Sequence, residues 1–263
     1  MSESAEVRRR CRSAELRGPT AGLAPGFVQA NLVVLPRQAA ADFREFCRLN
    51  PRPCPLLEET AVGNPEPQQI APGADLRTDL PRYRVWHHGE LIDEPEDLRD
   101  SWRDDMVGFL LGCSFTFEHA LLDAGLPMRH LEVGTNVPMY RTNRPCKEAG
   151  PFGGPLVVSM RPMTPGQATE AAEITRCYPR AHGAPVQIGD ATALGIQDLE
   201  QPDFGDPVEV RPGEVPVFWA CGVTPQAALA AAKPEIALTH SPGCMFVTDL
   251  RDSELHEPTE SGG

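Results

Sequence analysis

Lysine is almost absent from this chain. Of 24 basic residues only Lys147 and Lys233 are lysines, and 37 acidic residues leave a formal net charge of −13. Duplex-binding surfaces need clustered cations to neutralise phosphates, so nucleic acid is excluded as a partner. No stretch approaches the roughly 20 consecutive apolar residues of a membrane span, so no membrane partner is expected. The eight cysteines contain no Cys-x-x-Cys pair, which excludes a zinc ribbon and a thioredoxin-type site. The chain has no G-x-G-x-x-G, P-loop, H-E-x-x-H or G-x-S-x-G, and no tandem repeat of fixed period. No cofactor and no zinc site are expected, and use of a divalent metal is not readable from the sequence.

Met1 to Thr20 carries five arginines but no apolar core of signal-peptide length. Glu3, Glu6 and Glu15 set it apart from a mitochondrial transit peptide. The expectation is a cytoplasmic protein with reduced thiols. The tail from Asp252 to Gly263 is polar and acidic and is expected to fray.

What is present is a globular composition. Hydrophobic residues make up 41% of 263, enough for one large core or two modest lobes. The 28 prolines and 23 glycines place much of the chain in turns. Arginine suits bidentate carboxylate recognition, although a GC-rich genome accounts for most of its excess over lysine. Homo-oligomerisation is a base-rate expectation only.

Periodicity predicts a basic helix over Glu6–Leu16, an apolar strand over Phe27–Leu35 and a helix over Arg37–Leu49 closed by Asn50-Pro51. Pro51–Leu80 reads as mostly loop, and Tyr83–Ile92 as a hairpin around His88-Gly89. Helices are predicted over Glu96–Leu111 and from Ser114 or Thr116 to Gly125. Val133–Pro155 reads as loop without helix or strand. Pro155–Met160, Thr164–Tyr178 and Ala184–Ile188 form a strand-helix-strand unit, with Pro165 tolerated in the first helical turn. Val215–Ala220, a helix opened by Pro225 and running to Ala232, and Glu235–Thr239 suggest a parallel crossover in a three-layer sheet. A last strand covers Met245–Leu250.

Five polar, turn-rich segments could carry chemistry, and together they are expected to line one pocket. Gly112–His119 and Cys221–Gln226 each place hydroxyls or a thiol at a helix start. Free N–H groups and the helix dipole favour anions there, and lower the pKa of a thiol such as Cys221. For each, an ordinary cap above a core helix is the competing reading. Asn136–Gly154 sets Asn136, Arg141, Asn143 and Arg144 beside Cys146, a group suited to a dicarboxylate unless its arginines merely face water. His182 and His240 each sit beside a strand end with a Gly-Pro turn nearby, as proton carriers or as structural histidines.

The stretches GPTAGLAPGFVQANLVVLP, FLLGCSFTFEHALLDAGLPMRH, NVPMYRTNRPC, GPLVVSMRPM, HGAPVQIGD, DFGD, FWACGVTPQ and THSPGCMFVTD occur in this order. Together, from about Gly18 to Leu250, they resemble the D-glutamate cyclase family, whose bacterial members are often called hydro-lyases. The resemblance implies dehydration of D-glutamate to 5-oxo-D-proline in amino-acid metabolism. It implies an α/β fold, a three-layer α/β/α lobe (1–134 with 213–263) and a smaller two-layer α/β lobe (135–212). Gln187 and Cys244 stand where that resemblance leads one to look for histidine. For such a reaction, Ser114, Asn136, Arg141, Asn143, Arg144, Thr224 and Gln226 are candidates to bind a small carboxylate substrate. His182 and His240 are candidate proton shuttles, and Cys146 and Cys221 candidate nucleophiles behind direct ring closure. The alternatives are a hydro-lyase acting on a hydroxy acid and a non-catalytic protein that binds amino or keto acids.

Overall fold

A computed structural model of the chain describes residues 2–257. The fold is α/β, with two sheets in which every strand pair is antiparallel. In chain order the elements are α1 (Glu3–Arg12), β1 (Phe27–Pro36), α2 (Arg37–Leu49), β2 (Leu56–Glu59), β3 (Tyr83–His87), β4 (Glu90–Asp93), β5 (Met106–Gly112), α3 (Phe115–Asp123), α4 (Arg129–Glu132), β6 (Met139–Pro145), β7 (Pro155–Met163), α5 (Pro165–Arg176), β8 (Gln187–Ile188), β9 (Val215–Ala220), α6 (Val223–Ala232), β10 (Ile236–His240) and β11 (Phe246–Arg251). The larger sheet runs β2-β5-β1-β10-β3-β4. The ten-residue β1 is long enough to pair β10 through Val33 and Val34 and β11 through Phe27–Ala30 on its other half. The smaller sheet runs β6-β7-β9-β8.

β1 is buried along its whole length, so its apolar run serves two cores at once. Ala30, Leu32 and Val34 face the segment Ile70–Leu98. Val33 and Leu35 face Phe43, Phe46 and Cys47 of α2 and Ala228 and Leu229 of α6. On the smaller sheet, Val217 and Trp219 pack under Phe117, Leu121 and Ala171 of α3 and α5. Val158, Met160 and Phe218 face Leu194 and Val208 on the other side.

Local chemistry explains the elements that match expectation. Thr164 and Gln167 form a reciprocal capping box at the start of α5, with Pro165 in its first turn. α1 has Glu3 and Glu6 in its first turn and three arginines in its last, complementing the helix dipole. Its buried Arg8 donates two bonds of 2.9 Å to Asp249 and so ties the helix to β11.

Several expectations are corrected. Residues 106–112 form β5, not the end of a helix. Met106 and Leu110 serve one core while Val107, Phe109 and Leu111 serve the other, and a strand buried on both faces has no period that tells it from a buried helix. The expected loop after Val133 contains β6, an edge strand of the smaller sheet. The expected parallel crossover is absent: β9 belongs to the smaller sheet and β10 to the larger, so α6 connects two sheets. By this pairing Val215–Ala220, placed by sequence with the larger lobe, hydrogen-bonds within the smaller sheet. Of the tail expected to fray, Asp252–Leu255 forms a 3-10 turn held by the Asp252 contact with His119 at 3.1 Å. Residues 258–263 lie outside the described residues.

Candidate active site

Arg161 projects from β7 and is completely buried. A guanidinium withdrawn from water is costly unless its charge is met. Its Nη1 donates to Ser159 Oγ at 3.0 Å and its Nη2 to Ser114 Oγ at 3.3 Å and to the Glu118 carboxylate. The rings of Phe117 and Trp219 lie 5.4 and 5.3 Å from the guanidinium carbon, within cation-π range.

Glu118 sits in the first turn of α3, where a carboxylate complements the helix dipole. Burial alone would raise its pKa, but Arg161, followed by His130, outweighs burial and holds it below the ordinary carboxylate value. His130 Nε2 lies 3.8 Å from Glu118 Oε1, and its buried Nδ1 has no protein partner. Burial, against the pull of Glu118, depresses the His130 pKa to about 4, so the ring is neutral near pH 7.

Two strand-to-helix turns of one pattern border this pair. Cys113-Ser114-Phe115-Thr116 leads from β5 into α3, and Cys221-Gly222-Val223-Thr224 leads from β9 into α6. Asn31 of β1 lies against both. Its Nδ2 donates to Gly112 O at 3.0 Å, and a Cβ added to Gly222 would stand 2.5 Å from the same nitrogen. Gly222 is therefore fixed by close approach. The two helix starts converge, with Cys113, Ser114, Cys221 and Val223 partly exposed above the buried ion pair.

The thiols differ from expectation. Burial pushes Cys113 up to about 12 and Cys221 up to about 11. The Val223 N–H, Arg161 and the Gly222 N–H do favour the Cys221 thiolate, but desolvation is larger. Both are protonated near neutral pH.

The other residues singled out by sequence are distributed as follows. Ser114 belongs to the cluster. It occupies the cap position of α3 without making a cap bond, because its hydroxyl turns to Arg161. The Thr224 hydroxyl accepts from Val157 N at 3.0 Å and donates to Val157 O at 3.2 Å, which pins α6 to β7. His182 is buried in a left-handed conformation with φ 78° and donates through Nδ1 to Arg52 O at 2.7 Å. Its pKa is depressed to about 4 by burial, with Arg161 among the groups opposing its charge. His240 Nδ1 meets the Leu32 backbone at 3.1 Å, while its Nε2 lies 3.5 Å from Gln226 Nε2. Burial depresses it to about 4 as well. Cys146 lies in the core beside α2, its thiol pushed up to about 11 by burial.

The partners of Asn136, Arg141, Asn143 and Arg144 lie outside the cluster. All four are exposed. The Asn136 N–H donates to Asp206, the Arg141 guanidinium lies over Phe204 at 5.1 Å, and Arg144 donates to Val186 O. Asn143 packs against Gly195. Arg141 borders a cavity of about 220 Å³ with Tyr140, Gln201 and Asp203. A larger cavity of about 480 Å³ is lined by Arg12, Asp75, Arg77 and Arg99. Neither cavity touches the cluster. The arginines around the larger one are solvent-accessible and already paired with acids, and such pairs discriminate weakly between ligands. The buried pair is the stronger indicator, because its desolvation must be maintained by the whole surrounding structure.

Sequence reasoning did not single out Arg161, His130 or Ser159 of this cluster, and it reached Cys113 and Glu118 only as members of the Gly112–His119 segment. One signal was available: an arginine inside the apolar strand VVSMRPM must be paired if that strand is buried. Among the described residues no three His, Cys, Asp or Glu side chains are grouped as metal ligands.

The depressed histidines set a pH dependence. His130, His182 and His240 titrate at about 4 in the folded chain, against 6.5 for an unperturbed imidazole. Between those values the unfolded chain binds protons that the folded chain refuses. Stability is therefore fully present above 6.5 and is lost as pH falls toward about 4. Melting curves across that window should show a falling midpoint, and a flat profile would contradict the burial of these rings.

A model of the D-glutamate cyclase family matches residues 107–249. That range holds the whole cluster except Asn31. A Rubrobacter xylanophilus protein named "Putative hydro-lyase" is 61% identical over 251 residues, 95% of this chain and 97% of its own length. A similarly named protein of Geobacillus kaustophilus is 57% identical, covering 96% of each chain. Another from Stutzerimonas stutzeri is 58% identical, covering 95% of each. With matches of this extent, the chain belongs to the D-glutamate cyclase family.

Proposed function

We propose that the chain is a carbon-oxygen lyase that closes D-glutamate to 5-oxo-D-proline with loss of water. The observation that carries this reading is the convergence of two helix starts on the buried Arg161–Glu118 pair, in a member of this family. Ring closure needs a carboxyl oxygen to take up negative charge as the amine attacks. Backbone N–H groups at the starts of α3 and α6 stabilise that oxygen without reorganising. Arg161 binds the other carboxylate. Holding amine and carboxyl carbon in attack geometry supplies much of the remaining rate.

Direct closure is favoured over an acyl-cysteine intermediate. Cys113 and Cys221 are both held as neutral thiols, and the thiolate is the nucleophilic form. His182 and His240 keep their place as candidate proton carriers. Each is anchored through Nδ1 to backbone, at Arg52 and Leu32, and His240 Nε2 faces Gln226 Nε2 at 3.5 Å.

Incubation with D-glutamate and mass detection of the product tests the reading. Loss of one water to give 5-oxo-D-proline is expected. Dehydration of a hydroxy acid instead, or a ligand-dependent rise in melting temperature without turnover, would replace it. The same assay separates two arginines. Arg161→Lys keeps charge but loses the planar fork, and a loss of one to two powers of ten in kcat/KM is expected, roughly the 1.5–3 kcal/mol of a charge-assisted contact. From sequence that loss would be assigned to Arg141→Lys. Because the exposed Arg141 guanidinium lies over Phe204 and 4.0 Å from Asp203, outside the cluster, its change is expected to stay within about threefold.

A further inference from the structure

We propose that the substrate α-carboxylate takes the place of Glu118 on Arg161, and that the displaced Glu118 is the base that deprotonates the substrate ammonium group. The inference rests on the cyclase reading and assigns the proton acceptor within it.

The pairing in the resting site is incomplete. Only Oε1 of Glu118 meets the guanidinium, through Nη2 alone. Arg161 Nε is buried without any partner. A guanidinium and a carboxylate form their strongest contact through two parallel bonds, and that form is unused here. A ligand carboxylate offering both oxygens can therefore outcompete Glu118.

Ser114 marks the route of exchange. Its hydroxyl lies 3.3 Å from Arg161 Nη2 and 3.5 Å from Glu118 Oε1, and it is partly exposed. It leaves its own helix start uncapped to make these contacts. A carboxylate arriving between the two helix starts meets Ser114 first and Arg161 behind it.

Displacement changes what Glu118 faces. The ionisable groups around it are Arg161 from β7, His130 from α4, His119 on its own helix, Cys113 before α3 and Cys221 before α6. Arg161 is the only permanent cation among them. Once the guanidinium is neutralised by the ligand, burial of Glu118 is no longer offset and the carboxylate favours a proton. In an α-amino acid the ammonium and the α-carboxylate share one carbon. A carboxylate seated on Arg161 thus delivers its ammonium to the neighbouring Glu118.

The steps balance without any further reactant. Glu118 takes one ammonium proton. The freed nitrogen lone pair attacks the side-chain carboxyl carbon and forms the C–N bond. A second nitrogen proton moves to a carboxyl oxygen. Glu118 returns its proton to the same oxygen, which leaves with the electron pair of the C–O bond as water.

Glutarate, a dicarboxylate without an amine, separates binding from reaction. Calorimetry of glutarate binding at pH 7, in two buffers of different ionisation heat, should show uptake of close to one proton by the natural protein. Glu118→Gln should bind glutarate about tenfold more tightly, because the competing charge is gone, and show no proton uptake. Its turnover of D-glutamate should fall by at least about a hundredfold, the lower range for loss of a general base. Glutarate binding without proton uptake in the natural protein overturns the exchange whether or not the variant folds. Weaker glutarate binding by a folded Glu118→Gln protein does the same. In either case continued formation of 5-oxo-D-proline leaves the proposed activity standing. Absence of both glutarate binding and turnover overturns both.

Discussion

Arg161→Met should destabilise the protein by about 3–5 kcal/mol and abolish turnover. The magnitude follows from what is left behind. Removing one partner of a buried ion pair strands the other charge without compensation. Glu118 would remain buried beside His130, which is neutral near pH 7, and beside two thiols that carry no positive charge. Trp219 and Phe117 would also lose the cation held between them. Methionine fills much of the arginine volume, so cavity formation is a minor part of the loss. The double change Arg161→Met with Glu118→Gln removes both charges and should recover a large part of the stability but none of the activity. Denaturant unfolding of the four proteins gives the coupling energy directly. A single Arg161→Met variant within about 0.5 kcal/mol of the natural protein would show that the pair is not desolvated as described.

Gly112→Ala is expected to be strongly damaging for a single added methyl. An added Cβ would stand 1.9 Å from Arg180 O and 3.3 Å from Pro55 Cγ. The obstruction is backbone, which cannot rotate away as a side chain can. Gly112 is also held in place, since its N–H donates to Pro55 O at 2.9 Å and its carbonyl accepts from Asn31. Relief requires the 3-10 turn Pro179–Ala181 to lift from the end of β5, carrying with it the buried His182. The cost should be about 3 kcal/mol or more, at or above the usual range for overpacking, and the soluble yield should fall. Gly18→Ala is the matched control. Nothing lies within 4 Å of its added Cβ, and the change should stay within about 0.5 kcal/mol. If the two variants melt alike, the close contact between residues 112 and 180 is not part of the fold.

The sequence by itself determined the elements whose causes are local. α2 follows from the spacing of Phe43, Phe46 and Cys47, α5 from Thr164, Pro165 and Gln167, and the β3–β4 hairpin from His88-Gly89. Ser114 and the Cys221–Thr224 turn could be picked out because helix starts have their own chemistry. The family was legible because eight segments recur in one order. Tertiary structure decided the rest. Whether residues 106–112 are strand or helix depends on having a core on each side, which no window of neighbours contains. Whether Val215–Ala220 pairs with the larger sheet or the smaller is settled by its pairing with β7, more than 50 residues away by register. The site depends most on such pairing. Asn31, the α3 start with Ser114 and Glu118, Arg161 and Cys221 lie on four different segments, and only antiparallel pairing and helix packing bring them together. A charge in a strand becomes a buried, partnered charge only when the layers above it close, and burial is a property of the assembled layers rather than of the residues taken in order.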